Sequence, residues 1–125
     1  MNITIHNPSN LDTGPIAAAF LGDDYTSLRE RQEVQLVGVN GEPLMFAEVL
    51  NVWSGQLALV PAMLLEMSND PLQRTFSGLF MHLVARRATD ETVVNQESVI
   101  TVLVLRPKQS TLIRPTNNQI RKVTG

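Results

Sequence analysis

The stretch Phe20-Leu21-Gly22-Asp23-Asp24-Tyr25-Thr26-Ser27-Leu28-Arg29 decides how the rest of this chain is read. It joins an apolar run to a glycine, two acids, a tyrosine, a pair of small hydroxyls and one arginine, after which strand-forming sequence begins. Upstream, Pro15-Ile16-Ala17-Ala18-Ala19-Phe20-Leu21 opens on a proline, which a first helical turn tolerates because its N–H would have no partner there. It stops at Gly22, a suitable C-terminal cap, so the expectation is a short helix over 15–21. Downstream, 33–39 is β-branched and apolar enough for a strand. Asn40-Gly41 then supplies a tight hairpin, because both residues accept the positive φ of a primed turn.

The rest of the chain extends this alternation. A short strand over 2–6 ends at Asn7-Pro8-Ser9-Asn10, four turn formers in a row. The return strand of the hairpin runs from Glu42 through Trp53, bends at Ser54-Gly55 and continues over 56–60, and Pro61 opens a short helix over 62–67. Asp70-Pro71 reads as an N-cap with proline in the first turn. Leu72, Phe76, Leu79, Phe80, Leu83 and Val84 follow as one apolar stripe at helical period. Gly78 lies off that stripe; tolerance at an exposed site is weighed above close approach of another backbone, and glycine there costs about 1 kcal/mol relative to alanine. Arg86-Arg87 close the helix, where cations complement its dipole. Val99–Leu105 is almost continuously apolar, as a strand buried on both faces is, and Arg106-Pro107 ends it. A polar extension over 107–125 follows, with a short strand at Thr111-Leu112-Ile113.

Length and composition bound the classes. A chain of 125 residues is one domain and buries roughly two thirds of its unfolded surface. It has no cysteine, which removes disulfide frameworks, thiolate chemistry and cysteine-based zinc sites. No secretory signal opens it and no apolar run is long enough for a bilayer, so a cytoplasmic protein is expected. Charge is uneven: residues 1–70 carry nine acids against Arg29 and Arg31, while residues 71–125 carry eight bases against three acids. Mutual neutralisation of the two halves is favoured over a nucleic-acid face, because electrostatic nucleic-acid binders are usually net positive and this chain is net −2.

The order of elements, with Thr26-Ser27-Leu28-Arg29 ahead of a barrel strand and Phe46-Ala47-Glu48-Val49 after the hairpin, resembles the ASCH domain, a branch of the PUA-like superfamily, over about residues 14–106. The resemblance implies an α+β fold, a small PUA-like (ASCH-type) mixed β-barrel with two to three flanking helices. The domain would occupy 1–106. It also implies a cleft beside the arginine loop and binding of RNA or nucleotides, and some members are amidohydrolases of modified cytidine. Their pattern of glycine, x, lysine, threonine, x, threonine, x, arginine places Arg29 on the arginine, Ser27 on the second threonine and Asp24 on the lysine. An aspartate there reverses the field that a catalytic lysine supplies, so that activity is not carried over.

The leading expectation is therefore a ligand-binding module for RNA or a nucleotide, using Tyr25, Thr26, Ser27 and Arg29, with phosphate contacts from Arg74, Arg86, Arg87, Arg121 and Lys122. Arg29 clamps a phosphate, or else pairs with Glu48 or Glu33; the two are evenly weighted. Tyr25 is preferred to Trp53 for base stacking. The alternatives are a small hydrolase on modified nucleosides, with Glu48 as acid/base and Ser27 or Thr26 positioning substrate, and a phage-like accessory factor that binds a protein partner. A solvated Glu48 on an outer strand face is weighted above the catalytic role. Asp23-Asp24 reads as surface charge. His6 and His82 have no metal-ligand spacing, and His82 reads as a packed or half-exposed helix residue. No cofactor or metal is expected, no phosphate loop or nucleophile elbow occurs, and the reading leans away from an enzyme.

Overall fold

A computed structural model describes residues 1–11, 14–87, 89 and 92–108. The elements are strands β1 (Asn2–Thr4), β2 (Ile16–Leu21), β3 (Glu33–Val37) and β4 (Pro43–Gln56), helices α1 (Ala62–Glu66) and α2 (Phe76–Arg86), and strand β5 (Val99–Lys108). Short 3₁₀ turns follow β4 at Leu57–Leu59 and precede α2 at Pro71–Gln73. The strands form one mixed sheet in the order β1-β3-β4-β5-β2, with β1 parallel to β3 and every other pairing antiparallel. The α+β fold is as expected; among the described residues the sheet stays open, with β1 and β2 as its edges, and does not close into a barrel. The polar extension beyond Lys108, including the strand expected at 111–113, lies outside the described residues, as do Arg121 and Lys122.

The hairpin forms at Asn40-Gly41, but not through the primed turn expected: of the two residues only Gly41 takes positive φ (+82°), and Gly41 N–H donates to the Gly38 carbonyl (3.0 Å) while Gly38 N–H donates to the Glu42 carbonyl (2.8 Å). β4 and β5 form the long central ladder, whose register shifts between Val49 and Asn51. Alternation along the strands makes two apolar layers. One holds Ile16, Ala18, Leu28, Val34, Leu36, Ala47, Val49, Leu103 and Leu105. On the other side of the sheet, Ala17, Ile100 and Val102 pack with Leu57, Leu79 and Leu83.

Three further expectations are corrected. Residues 16–21 are the edge strand β2, not a helix, paired along its whole length with β5 from Ile16↔Leu105 to Leu21↔Ile100. Alanine favours helix when nothing else acts. Here Ala18 packs on the Leu28 side and Ala17 on the Leu79 side, so tertiary packing on both faces overrides propensity. Gly22 does take positive φ, +85°, but it ends a strand. The second correction concerns Asp70-Pro71, which starts only a single 3₁₀ turn. The cap of α2 is Thr75, whose hydroxyl accepts from Gly78 N–H at 3.1 Å. Leu72 therefore leaves the stripe and is 77% exposed. Strand β4 stops at Gln56, and the continuation expected over 57–59 is a 3₁₀ turn whose buried residue is Leu57.

Candidate functional site

Residues 22–32 link β2 to β3 as a chain of tight turns. Thr26 N–H and its hydroxyl both donate to the Asp23 carbonyl (3.2 and 2.9 Å), and Leu28 N–H donates to the Tyr25 carbonyl at 3.1 Å. Leu28, 5% exposed, is the apolar peg that holds this loop to the sheet. At its far end Arg31 N–H donates to the Val49 carbonyl (2.7 Å) and Val49 N–H to the Gln32 carbonyl (2.9 Å), which fixes the loop beside the β4 irregularity. Arg31 takes a positive φ of 71°, uncommon for a residue with a Cβ, to make this crossing.

The sequence-derived ligand residues share this loop. Tyr25 is half-buried, its ring edge-on to Phe20 with centroids 4.9 Å apart; burial, then the Asp24 charge, raises its phenol above the ordinary value. Its ring is thus part of the packing, and only the portion left in solvent is open to a stacked base. Thr26, Ser27 and Arg29 are exposed. Arg29 is positioned through its main chain, whose N–H donates to Gln32 Oε1 at 3.2 Å. The acids weighed as its partners are engaged elsewhere: Glu33 pairs with Lys108 and Glu48 with Arg106, each at 3.1 Å.

Glu48 lies on the face of β4 opposite Ala47 and Val49, directly across from Arg106 in the ladder. The outer face is as the sequence favoured, but the carboxylate is paired with Arg106 and its side chain is 22% exposed, where a solvated one was expected. Beside it, Glu30, Arg31, Glu48, Val49, Leu50 and Arg106 line a depression of about 240 Å³. Arg31 and Arg106 were not singled out from sequence. Arg31 entered only the charge balance and Arg106 only as the end of a strand; the β4–β5 register and the Arg31 N–H bond to the Val49 carbonyl bring them to one place.

Of the phosphate contacts expected from sequence, Arg74, Arg86 and Arg87 do not line this depression. Arg74 Nε donates to the Ser68 carbonyl (2.9 Å) and Arg87 Nη1 to the Val84 carbonyl (2.7 Å), so both brace the helical layer. That layer packs against Ala17, whereas Leu28 packs with Ala18 on the other side of β2. Beside α2, Phe76, Phe80, Met81 and Val94 border an apolar groove of about 430 Å³. The two histidines, far apart in sequence, meet with ring centroids 5.8 Å apart. Among the described residues no group of three or more histidine, cysteine or acidic side chains is arranged to hold a metal ion, and no helix is long and apolar enough to cross a membrane.

The open mixed sheet, its pegged loop and its two helices constitute an ASCH-like fold. The chain is similar to a solved protein of family DUF984 from Enterococcus faecalis V583, with a TM-score of 0.57 at 10% identity over 74% of this chain and 61% of that one. It is also similar to an ASCH domain from Lactobacillus crispatus JV V101, with a TM-score of 0.53 at 11% identity over 74% and 63% of the two chains. The chain thus spans about three fifths of the length of either structure, and identities this low show the fold alone. No family model and no curated protein matches the sequence.

Proposed function

We propose that this ASCH-like module binds a phosphate-bearing nucleotide, free or within RNA, at the depression between the 22–32 loop and the β4–β5 ladder. The observation that carries the reading is the convergence of Arg31 and Arg106 on one 240 Å³ depression, with Arg29 two residues away on the same loop. Guanidinium groups suit phosphate because their planar fork donates two parallel hydrogen bonds to its oxygens. Glu48 holds Arg106 extended across the ladder, and Glu30 and Glu48 offer acceptors for ribose hydroxyl or base N–H groups. Tyr25, Thr26 and Ser27 lie earlier on the same loop and are not part of the lining of the depression. The likeness to an ASCH domain supports a binding module without specifying its ligand.

The test is fluorescence anisotropy with a labelled single-stranded oligoribonucleotide, alongside calorimetric titration with nucleoside monophosphates, over a range of salt. Binding should weaken as salt rises, and Arg29→Ala or Arg31→Ala should each lower the salt slope by about one phosphate contact. Binding that ignores salt and both substitutions would refute the site. Turnover of a modified nucleoside that is lost in Glu48→Gln would favour the hydrolase alternative instead.

A further inference from the structure

The two edges of the sheet border one small cavity. On β1, Ile5 N–H donates to the Val37 carbonyl (2.8 Å), so odd residues face β3 and the backbone of Thr4 turns outward. On β2, Ala17 N–H reaches out to the Met67 carbonyl (3.0 Å), so Ala19, two residues along the pleat, presents its backbone the same way. Thr4 and Ala19 both line a cavity of about 20 Å³, the scale of one water, together with His6, Asn69, Gln73 and His82. The sheet pairings make β1 and β2 antiparallel. The cavity is therefore the seam along which the open sheet nearly meets itself.

Across this seam His6, just past β1, meets His82 of α2, with ring planes at 70°. Neither imidazole has a hydrogen-bond partner among the described residues. The segment after His6 is clasped from the other side: Asn69 Nδ2 donates to the carbonyls of Asn7 (2.6 Å) and Ser9 (2.8 Å), and Asn10 Nδ2 donates to the Asn69 carbonyl (3.1 Å). The charged groups acting on the pair are Arg86, one turn beyond His82 on α2, and Asp70 at the start of the 3₁₀ turn. With both rings protonated, three cations would face one carboxylate, and that carboxylate already accepts from Leu72 N–H and Gln73 Nε2.

We propose that the His6–His82 contact is a proton-operated latch on this seam: neutral rings hold the end of β1 against α2, and protonation parts them and exposes the β1 edge. An exposed strand edge is a template for added strands, so opening would change what the sheet can pair with. The titration runs in the required direction. Burial first, then Arg86, holds both imidazoles below the ordinary 6.5, and His82 is lowered further by His6 and raised in part by Asp70. The contact is thus fully stabilising above about pH 6.5 and is lost as pH falls through the depressed folded-state values.

Amide hydrogen exchange on the full chain, corrected for the pH dependence of intrinsic exchange, tests this with side-chain NMR titration of the two histidines. Between about pH 7.5 and about 5.5, protection at Ile5, which ties the end of β1 to Val37, should fall at least about tenfold. In His82→Gln that pH dependence should flatten. Protection that does not change with pH, or an equal loss in His82→Gln, overturns the latch. If His82→Gln does not fold, His6→Gln is read in the same way. Imidazole midpoints at or above 6.5 in the unsubstituted chain overturn it without any variant.

Discussion

Substituting Gly78 by alanine sets two physical effects against each other, and the structure decides the sign. In an isolated helix the change gains about 1 kcal/mol, because alanine loses less backbone freedom. In this fold a Cβ at residue 78 would lie inside van der Waals contact of the Leu72 carbonyl oxygen, 2.8 Å from the Leu72 carbonyl carbon and 3.2 Å from Thr75 Oγ1. Ordinary contact for such a carbon begins near 3.4 Å, so the Leu72 backbone must retreat. That backbone is not free to yield. The turn carrying it is capped by Asp70 (Leu72 N–H to Oδ1, 3.0 Å) and closed by Gln73 N–H to the Asp70 carbonyl (2.9 Å), and Arg74 Nε ties its end to Ser68 (2.9 Å). Overpacking of this kind costs about 1–3 kcal/mol, and loss of the Asp70 cap adds about 1 kcal/mol where the turn gives way. Set against the propensity gain of about 1 kcal/mol, Gly78→Ala should lose about 1–3 kcal/mol, a fall in Tm of roughly 3–15 °C for a domain of this size. Urea melts with an unchanged m value, checked by circular dichroism, measure it. A variant as stable as the parent, or more stable, would refute the argument and return Gly78 to the tolerant exposed position that the sequence favoured.

Other consequences are as direct. Leu28→Ala should cost about 2–5 kcal/mol as a large-to-small core change, and proteolysis between residues 22 and 32 should rise before global unfolding, because Leu28 pegs that loop to the sheet. Asp70 is pushed up by burial, but hydrogen bonds from Gln73, Leu72 N–H and Asn7, with the nearby His82, outweigh this and leave its carboxyl below the ordinary range. Its stabilising contribution is therefore complete above about pH 4 and is lost as pH falls through the depressed folded value. Thermal melts of Asp70→Asn against the parent should converge at acid pH and separate above it; a constant gap across that range would show that the ionised form does not matter.

The sequence by itself determined the elements whose information is local. The Asn40-Gly41 turn, the β3–β4 hairpin it joins, the short helix after Pro61 and the apolar strand beginning at Val99 follow from turn chemistry and periodicity within a few residues. The ASCH-like resemblance was legible as well, although one element it was read from, the helix ending at Gly22, is strand β2. Tertiary structure alone decided that Ala17-Ala18-Ala19 is a strand, because small side chains there let a loop peg close one face and α2 the other. It also decided the role of Gly78, whose neighbour is a backbone six residues away across a turn, and the place of Glu48, whose partner Arg106 is 58 residues distant. The loop from Gly22 to Arg29 was recognised as the handle on the candidate site. Its partners Arg31 and Arg106, and the meeting of His6 with His82, depend on strand register and helix docking, which no local pattern encodes.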